Sequence, residues 1–202
     1  MIECYITDRR SLGPGDSLLH VISRNLTEGP DWIQIREKDL AARELFALVR
    51  SVLDLPNPRG VKILVNSRVD VAIAAGAAGV HLPSDSPPAH LWRAIVPPGF
   101  LLGVSCHSVE EVRQAEQEGA DYVLFAPVFP PLSKPSDRPA LGLTELSRAS
   151  ESARIPVLAL GGITRENAEV CVAVGASGIA GISLYQRYRL DWGKSPVAGS
   201  FT

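Results

Sequence analysis

The chain has 202 residues, enough for one domain with an ample core or at most two small ones. Hydrophobic residues make up 46% and charged residues 21%, an ordinary globular balance, and the formal net charge of -2 argues against nucleic acid or an anionic membrane as partner. Cys4, Cys106 and Cys171 are scattered without zinc spacing, no apolar run is long enough to span a membrane, and no signal-peptide pattern opens the chain, so a cytoplasmic protein without disulfides is expected.

Residues 4–7 are a short apolar run closed by Asp8, a first strand. After Gly13-Pro14-Gly15, Asp16 or Ser17 is placed to cap a helix bearing Leu18, Leu19, Val21, Ile22 and Leu26. Residues 32–35 read as strand two and run into Arg36-Glu37-Lys38-Asp39. Asp39 is the expected cap of a helix over 41–53, where Leu45, Leu48, Val49 and Val52 recur at helical steps. Strand three covers 62–65 and ends at Asn66; a short helix over 69–75 stops at Gly76. Strand four is 79–82, followed by the loop Pro83-Ser84-Asp85-Ser86-Pro87-Pro88 and a helix over 89–95. Strand five, 101–104, ends in Ser105-Cys106-His107-Ser108, and Ser108 with Glu111 forms a capping box for the next helix. Strand six is 121–125.

Residues 126–142 break the rhythm: they are proline-rich and lack a periodic apolar pattern, which predicts a mobile lid. A helix over 143–152, strand seven at 157–160, a helix over 165–174 capped by Thr164, strand eight at 178–181 and a last helical turn to about 188 complete the count. Eight strand-and-helix units predict a single-domain (β/α)8 TIM barrel over 1–190, with 191–202 a flexible tail. The rival, an open doubly wound sheet, carries its glycine fingerprint in the first turn; here the glycines fall at the end.

In such a barrel the chemistry lies at the C-terminal strand ends. Those ends supply Gln34, Arg36 and Lys38; Asn66; Ser84, Asp85 and Ser86; Ser105 and His107; Ser133 and Lys134 in the lid; Gly161 and Gly162; and Gly181, Ile182 and Ser183. Cations, amides and hydroxyls of this kind suit phosphate oxygens and small heterocycles. The two glycine turns after strands seven and eight are expected to form one phosphate cradle, helped by the helix starts near Thr164 and Ser183.

Six stretches carry a resemblance: Q-I-R-E-K-D (34–39), V-N-S-R-V-D (65–70), G-V-H-L (79–82), G-V-S-C-H-S (103–108), D-Y-V-L-F-A-P-V-F-P (121–130) and I-P-V-L-A-L-G-G-I (155–163). In these the chain resembles the thiamin phosphate synthase/TenI superfamily. The resemblance implies a barrel that binds a thiazole phosphate and a place in thiamin biosynthesis. Synthases join a pyrimidine diphosphate to a thiazole phosphate, and resemble this chain at Gln34, Lys38, Asn66, Ser105, Lys134, Gly162 and Ser183. Their magnesium is held by two aspartates, which fall here at Ser67 and near Ser86, with Asp85 one residue out of register. Hydroxyls substitute poorly for carboxylates on magnesium. The TenI-like branch isomerises a thiazole carboxylate phosphate without metal, and the L-P-S-x-S loop (82–86) resembles that branch. Its proton-transfer histidine falls at Pro127, which leaves His107 as the nearest substitute.

The expectation is therefore a TenI-like thiazole tautomerase with His107 and Lys38 catalytic and no metal or other cofactor. The alternative is a magnesium-dependent thiamin phosphate synthase; a non-catalytic phosphate-ligand sensor is a third reading. A small-molecule thiazole phosphate is the expected partner, and homo-oligomerisation is left open.

Overall fold

Short runs of apolar residues bounded by Gly and Pro form strands that are buried on both faces. In the computed structural model, which describes residues 1–130 and 139–186, these are β1 (Ile2–Ile6), β2 (Trp32–Ile35), β3 (Lys62–Asn66), β4 (Gly79–Leu82), β5 (Leu101–Cys106), β6 (Tyr122–Phe125), β7 (Val157–Ala159) and β8 (Gly178–Gly181). Every pairing is parallel, and β8 closes on β1 through Ile2↔Gly178 to Tyr5↔Gly181. The helices are α1 (Leu18–Glu28), α2 (Ala42–Leu53), α3 (Val69–Ala75), α4 (Ala89–Arg93), α5 (Val109–Gln117), α6 (Gly142–Glu151), α7 (Arg165–Ala173) and α8 (Ser183–Gln186). The architecture is a (β/α)8 barrel in one domain, and among the described residues no helix is long and apolar enough to cross a membrane.

The two-residue period of each strand sorts the side chains into two layers. Inside the barrel lie Cys4, Ile6, Trp32, Leu64, Tyr122, Leu124, Leu158 and Ala180. Outward residues such as Ile33, Ile35, Val65 and Val80 pack beneath α1 to α3, and Val123, Phe125 and Val157 pack beneath α5 to α7. A full interior leaves no pore, so ligands have access only at the ends.

Several local expectations need correction. Asp39 does not cap α2: its carboxylate binds Arg9 and Arg10, and Glu44 accepts from the Ala41 N–H at 2.9 Å instead. Thr164 does stand as the N-cap of α7, in a capping box in which Asn167 Oδ1 accepts from the Thr164 N–H at 2.8 Å. Ser108 Oγ does accept from the Glu111 N–H, but the Glu111 carboxylate reaches back to the His107 N–H. The proposed lid is pinned at both ends. Val128 N–H donates to the Leu160 carbonyl, Phe129 N–H to Gly161, Leu141 N–H to Pro127 and Gly142 N–H to Val128. Those bonds tie residues 127–129 and 141–142 to the β7 turn and to one another, and the residues between them at 131–138 lie outside the described residues. Ser133, Lys134 and the expected tail at 191–202 lie outside the described residues.

Candidate active site

The strand period carries past the end of β2, so Arg36 and Lys38 leave the strand together while Glu37 turns away between them. Glu37 is buried, 5% exposed. It accepts from Thr7 Oγ at 2.6 Å, from the Arg9 N–H at 3.1 Å and from Arg9 Nη1 at 3.2 Å. Thr7 Oγ in turn accepts from the Arg36 N–H at 2.9 Å. Arg9 binds Asp39 through two 2.6 Å hydrogen bonds, which hold that carboxyl at about 2. The carboxylates beside the turn are thus occupied by Arg9 and Arg10. Among the described residues the Arg36 and Lys38 side chains have no carboxylate within ion-pair distance. The Arg36 charge, then burial, lower the Lys38 ammonium, while Asp85 partly opposes them.

Next around the mouth is an amide row. Gln34 Nε2 donates to Asn66 Oδ1 at 2.9 Å, and Asn66 Nδ2 donates to Ser67 Oγ at 2.7 Å. Gln34 is 1% exposed and its Oε1 has no partner among the described residues. A buried carbonyl oxygen left open is costly, so this atom is set up to accept from a ligand donor. The row fixes Asn66 by its side chain, and among the described residues no α3 N–H donates to it. Ser67 takes a left-handed φ of 63°, uncommon without glycine.

On β5, Ser105 Oγ lies 2.8 Å from His81 Nε2, and the Tyr122 hydroxyl lies 3.2 Å from His81 Nδ1. Burial, with the nearby Arg36 charge, pushes the His81 imidazole down to about 3, so the ring is neutral. His107 reaches a different partner: its Nδ1 sits 2.6 Å from the Ala126 carbonyl, where it donates. The histidine anchors the segment after β6.

The turns after β7 and β8 lie side by side through Leu158↔Gly178 and Ala159↔Ile179. Gly161 and Gly162 have φ of 94° and 61°. A Cβ on Gly162 would stand 2.4 Å from the Pro130 carbonyl oxygen and 2.7 Å from Phe129 Cβ. The glycine is therefore required by the β6 segment packed over it and by its own backbone, rather than by the bulk of a ligand. Asn167 Nδ2 fixes this turn by donating to the Gly162 carbonyl at 2.9 Å. Among the described residues no acceptor takes the backbone N–H of Gly162 or Ile182. Gly181, Ile182 and Ser183 open α8, which is a single turn and adds little dipole of its own.

The described residues hold no group of three or more His, Cys, Asp or Glu able to bind a metal ion. Ser67 Oγ is already engaged by Asn66, and Asp85 is the lone acidic side chain in the loop after β4. This donor set does not fit a protein-built magnesium cage, which calls for charged oxygen ligands.

The family described as thiamine monophosphate synthase matches residues 3–184. The chain belongs to this family. It is 44% identical to the putative thiamine-phosphate synthase 2 of Aquifex aeolicus over 89% of this chain and 95% of that protein. It is also 44% identical to the thiamine-phosphate synthase of Roseiflexus castenholzii, over 90% of this chain and 79% of that one. The solved thiamine phosphate pyrophosphorylase of Pyrococcus furiosus shares 36% identity with a TM-score of 0.79, covering 90% of this chain and 85% of that chain.

These relatives overturn the tautomerase expectation. They are named synthases, and the TenI-like branch assignment and the isomerase activity fall with it. The proton-transfer role given to His107 belonged to that reading. The sequence reading also missed residues of the thiamine monophosphate synthase fold that hold the site: His81, Tyr122, Glu37 and Asn167. A signal was present for the first, a lone polar residue inside the apolar run G-V-H-L at an inward parity.

Proposed function

We propose that the chain is a thiamine-phosphate synthase. It binds a pyrimidine diphosphate and a thiazole phosphate at the C-terminal mouth of the barrel, joins them and releases diphosphate. The observation that carries this reading is the pair of cations, Arg36 and Lys38, which form no ion pair among the described residues and stand beside a ready-made amide and hydroxyl row. The names of the relatives point the same way.

In this reading Gln34 Oε1 accepts from an amino group on the pyrimidine, and Asn66 holds the glutamine amide in place. Arg36, Lys38 and Ser105 face the diphosphate. As the C–O bond to the diphosphate breaks, charge grows on the leaving oxygens, and fixed cations and donors stabilise it without reorganising. A ring nitrogen of the thiazole then forms the new C–N bond. The turns at Gly161, Gly162 and Gly181–Ser183 hold the thiazole phosphate through backbone N–H groups. Ser133 and Lys134 are assigned to the same ligands from sequence alone. A magnesium ion would enter with the diphosphate, and no step here depends on a protein-held metal.

The test is product formation. The protein is incubated with hydroxymethylpyrimidine diphosphate and thiazole phosphate, with and without magnesium, and thiamine phosphate and diphosphate are quantified. Equimolar formation of both supports the reading. Binding of both substrates without product refutes it.

A further inference from the structure

His81 lies on β4 with its ring inside the barrel, 2% exposed, and both ring nitrogens are engaged, Nδ1 by Tyr122 and Nε2 by Ser105. Gly103 makes the arrangement possible. A Cβ there would stand 2.0 Å from Tyr122 Cζ, so the bare glycine lets the β6 phenol lie across β5 and reach β4. The phenol also packs on Trp32, with ring centroids 4.7 Å apart, which fixes its tilt.

These contacts set the direction of each proton. Among the described residues His81 Nδ1 is the one hydrogen-bond partner of the Tyr122 hydroxyl. A buried phenol proton without an acceptor carries a full desolvation penalty, so the hydroxyl donates to Nδ1. Burial keeps the imidazole neutral, and its one remaining proton then sits on Nε2. Nε2–H donates to Ser105 Oγ. The serine has a lone pair filled from below and its own proton unclaimed by any described residue. That proton is free for a ligand acceptor at the mouth.

We infer that His81 is a positioning residue: held by Tyr122 as the Nε2–H tautomer, it donates to Ser105 and turns the serine hydroxyl into a donor for an anionic diphosphate oxygen. The identity of the anion rests on the synthase reading; the polarity of the row does not. A ligand presenting only an amino group to Ser105 would find one remaining lone pair and leave the serine proton without an acceptor, whereas an anionic oxygen takes that proton. The preference for an anion at this position is thus built three side chains deep.

Long-range 15N–1H correlation on histidine-labelled protein should place the His81 proton on Nε2; a proton on Nδ1 overturns the inference. Inorganic diphosphate binding, measured by calorimetry, should weaken about 10- to 100-fold in Ser105→Ala and by a similar factor in Tyr122→Phe. The double variant should lose no more than Ser105→Ala alone, because the tyrosine acts through the serine. Losses that multiply would mean that Tyr122 acts by packing, and would overturn it. His81→Gln, whose amide still offers an N–H to Ser105, should keep most of the affinity that His81→Leu loses; equal losses count against the inference. These probes use inorganic diphosphate. A wild type that binds it with the expected tautomer but forms no thiamine phosphate sinks the synthase reading alone.

Discussion

The Thr7 hydroxyl donates to the Glu37 carboxylate at 2.6 Å, and this bond ties the end of β1 to the turn that carries Arg36 and Lys38. Thr7 has no exposed surface and Glu37 has 5%, so the pair is shielded from water. The same Thr7 oxygen accepts the Arg36 N–H, which fixes the backbone from which both cations depart.

Loss of that tie should be felt twice. Glu37→Gln exchanges a charged acceptor for a neutral amide that cannot serve Thr7 and Arg9 equally. We expect a destabilisation of about 1–3 kcal/mol in urea unfolding. Affinity for inorganic diphosphate should fall as well, although Glu37 itself faces away from the mouth. An unchanged affinity would separate the turn from the site.

Gly162→Val should lower stability and thiazole phosphate binding together. The new side chain meets the Pro130 carbonyl and Phe129 in a left-handed backbone, so the cost is about 1–3 kcal/mol before any ligand is present. A variant with a wild-type thermal midpoint and normal binding would contradict the packing described for the β6 segment.

Lys38 should lose its proton at lower pH than an ordinary lysine, because Arg36 repels the ammonium and burial adds to it. Anion binding needs the protonated form, so this contribution is present below the lowered pKa and is lost as pH rises through it. Arg36→Gln should move the midpoint up, and Asp85→Asn should move it down. NMR titration of the Lys38 Cε resonance checks all three signs.

His107→Ala should free the Ala126 carbonyl and loosen the segment after β6. The expected effect is a higher KM for thiazole phosphate with kcat for thiamine phosphate formation changed far less. A collapse of kcat at unchanged KM would return a chemical role to His107.

Magnesium without ligand should show no saturable binding at micromolar concentrations in calorimetry. Ser67→Asp with Ser86→Asp should create such binding, since carboxylates at both positions supply the charged oxygens the present set lacks. Asp tolerates the left-handed φ of residue 67. Tight binding by the unaltered protein would refute the reading of the donor set.

The amino-acid order alone determined the eight strand-and-helix units. The two periods are local properties: Val69–Ala75, Trp32–Ile35 and Gly79–Leu82 were legible to the residue because apolar runs, helix starts and Gly76 lie within a few positions of one another. The same local order placed Gln34, Arg36, Lys38, Asn66 and Ser105 at strand ends. Tertiary structure decided their partners. Asp39 reads as a helix cap until β1 brings Arg9 and Arg10 against it, about 30 residues away in the chain. Gly162 reads as room for a ligand until the β6 segment is laid across it. His81, Tyr122 and Ser105 lie on three different strands, and only the register that pairs His81 with Gly103, and Gly103 with Tyr122, puts them in one row. Hydrogen-bond direction depends on which atoms are buried together, and burial is set by the closed sheet rather than by neighbours in sequence.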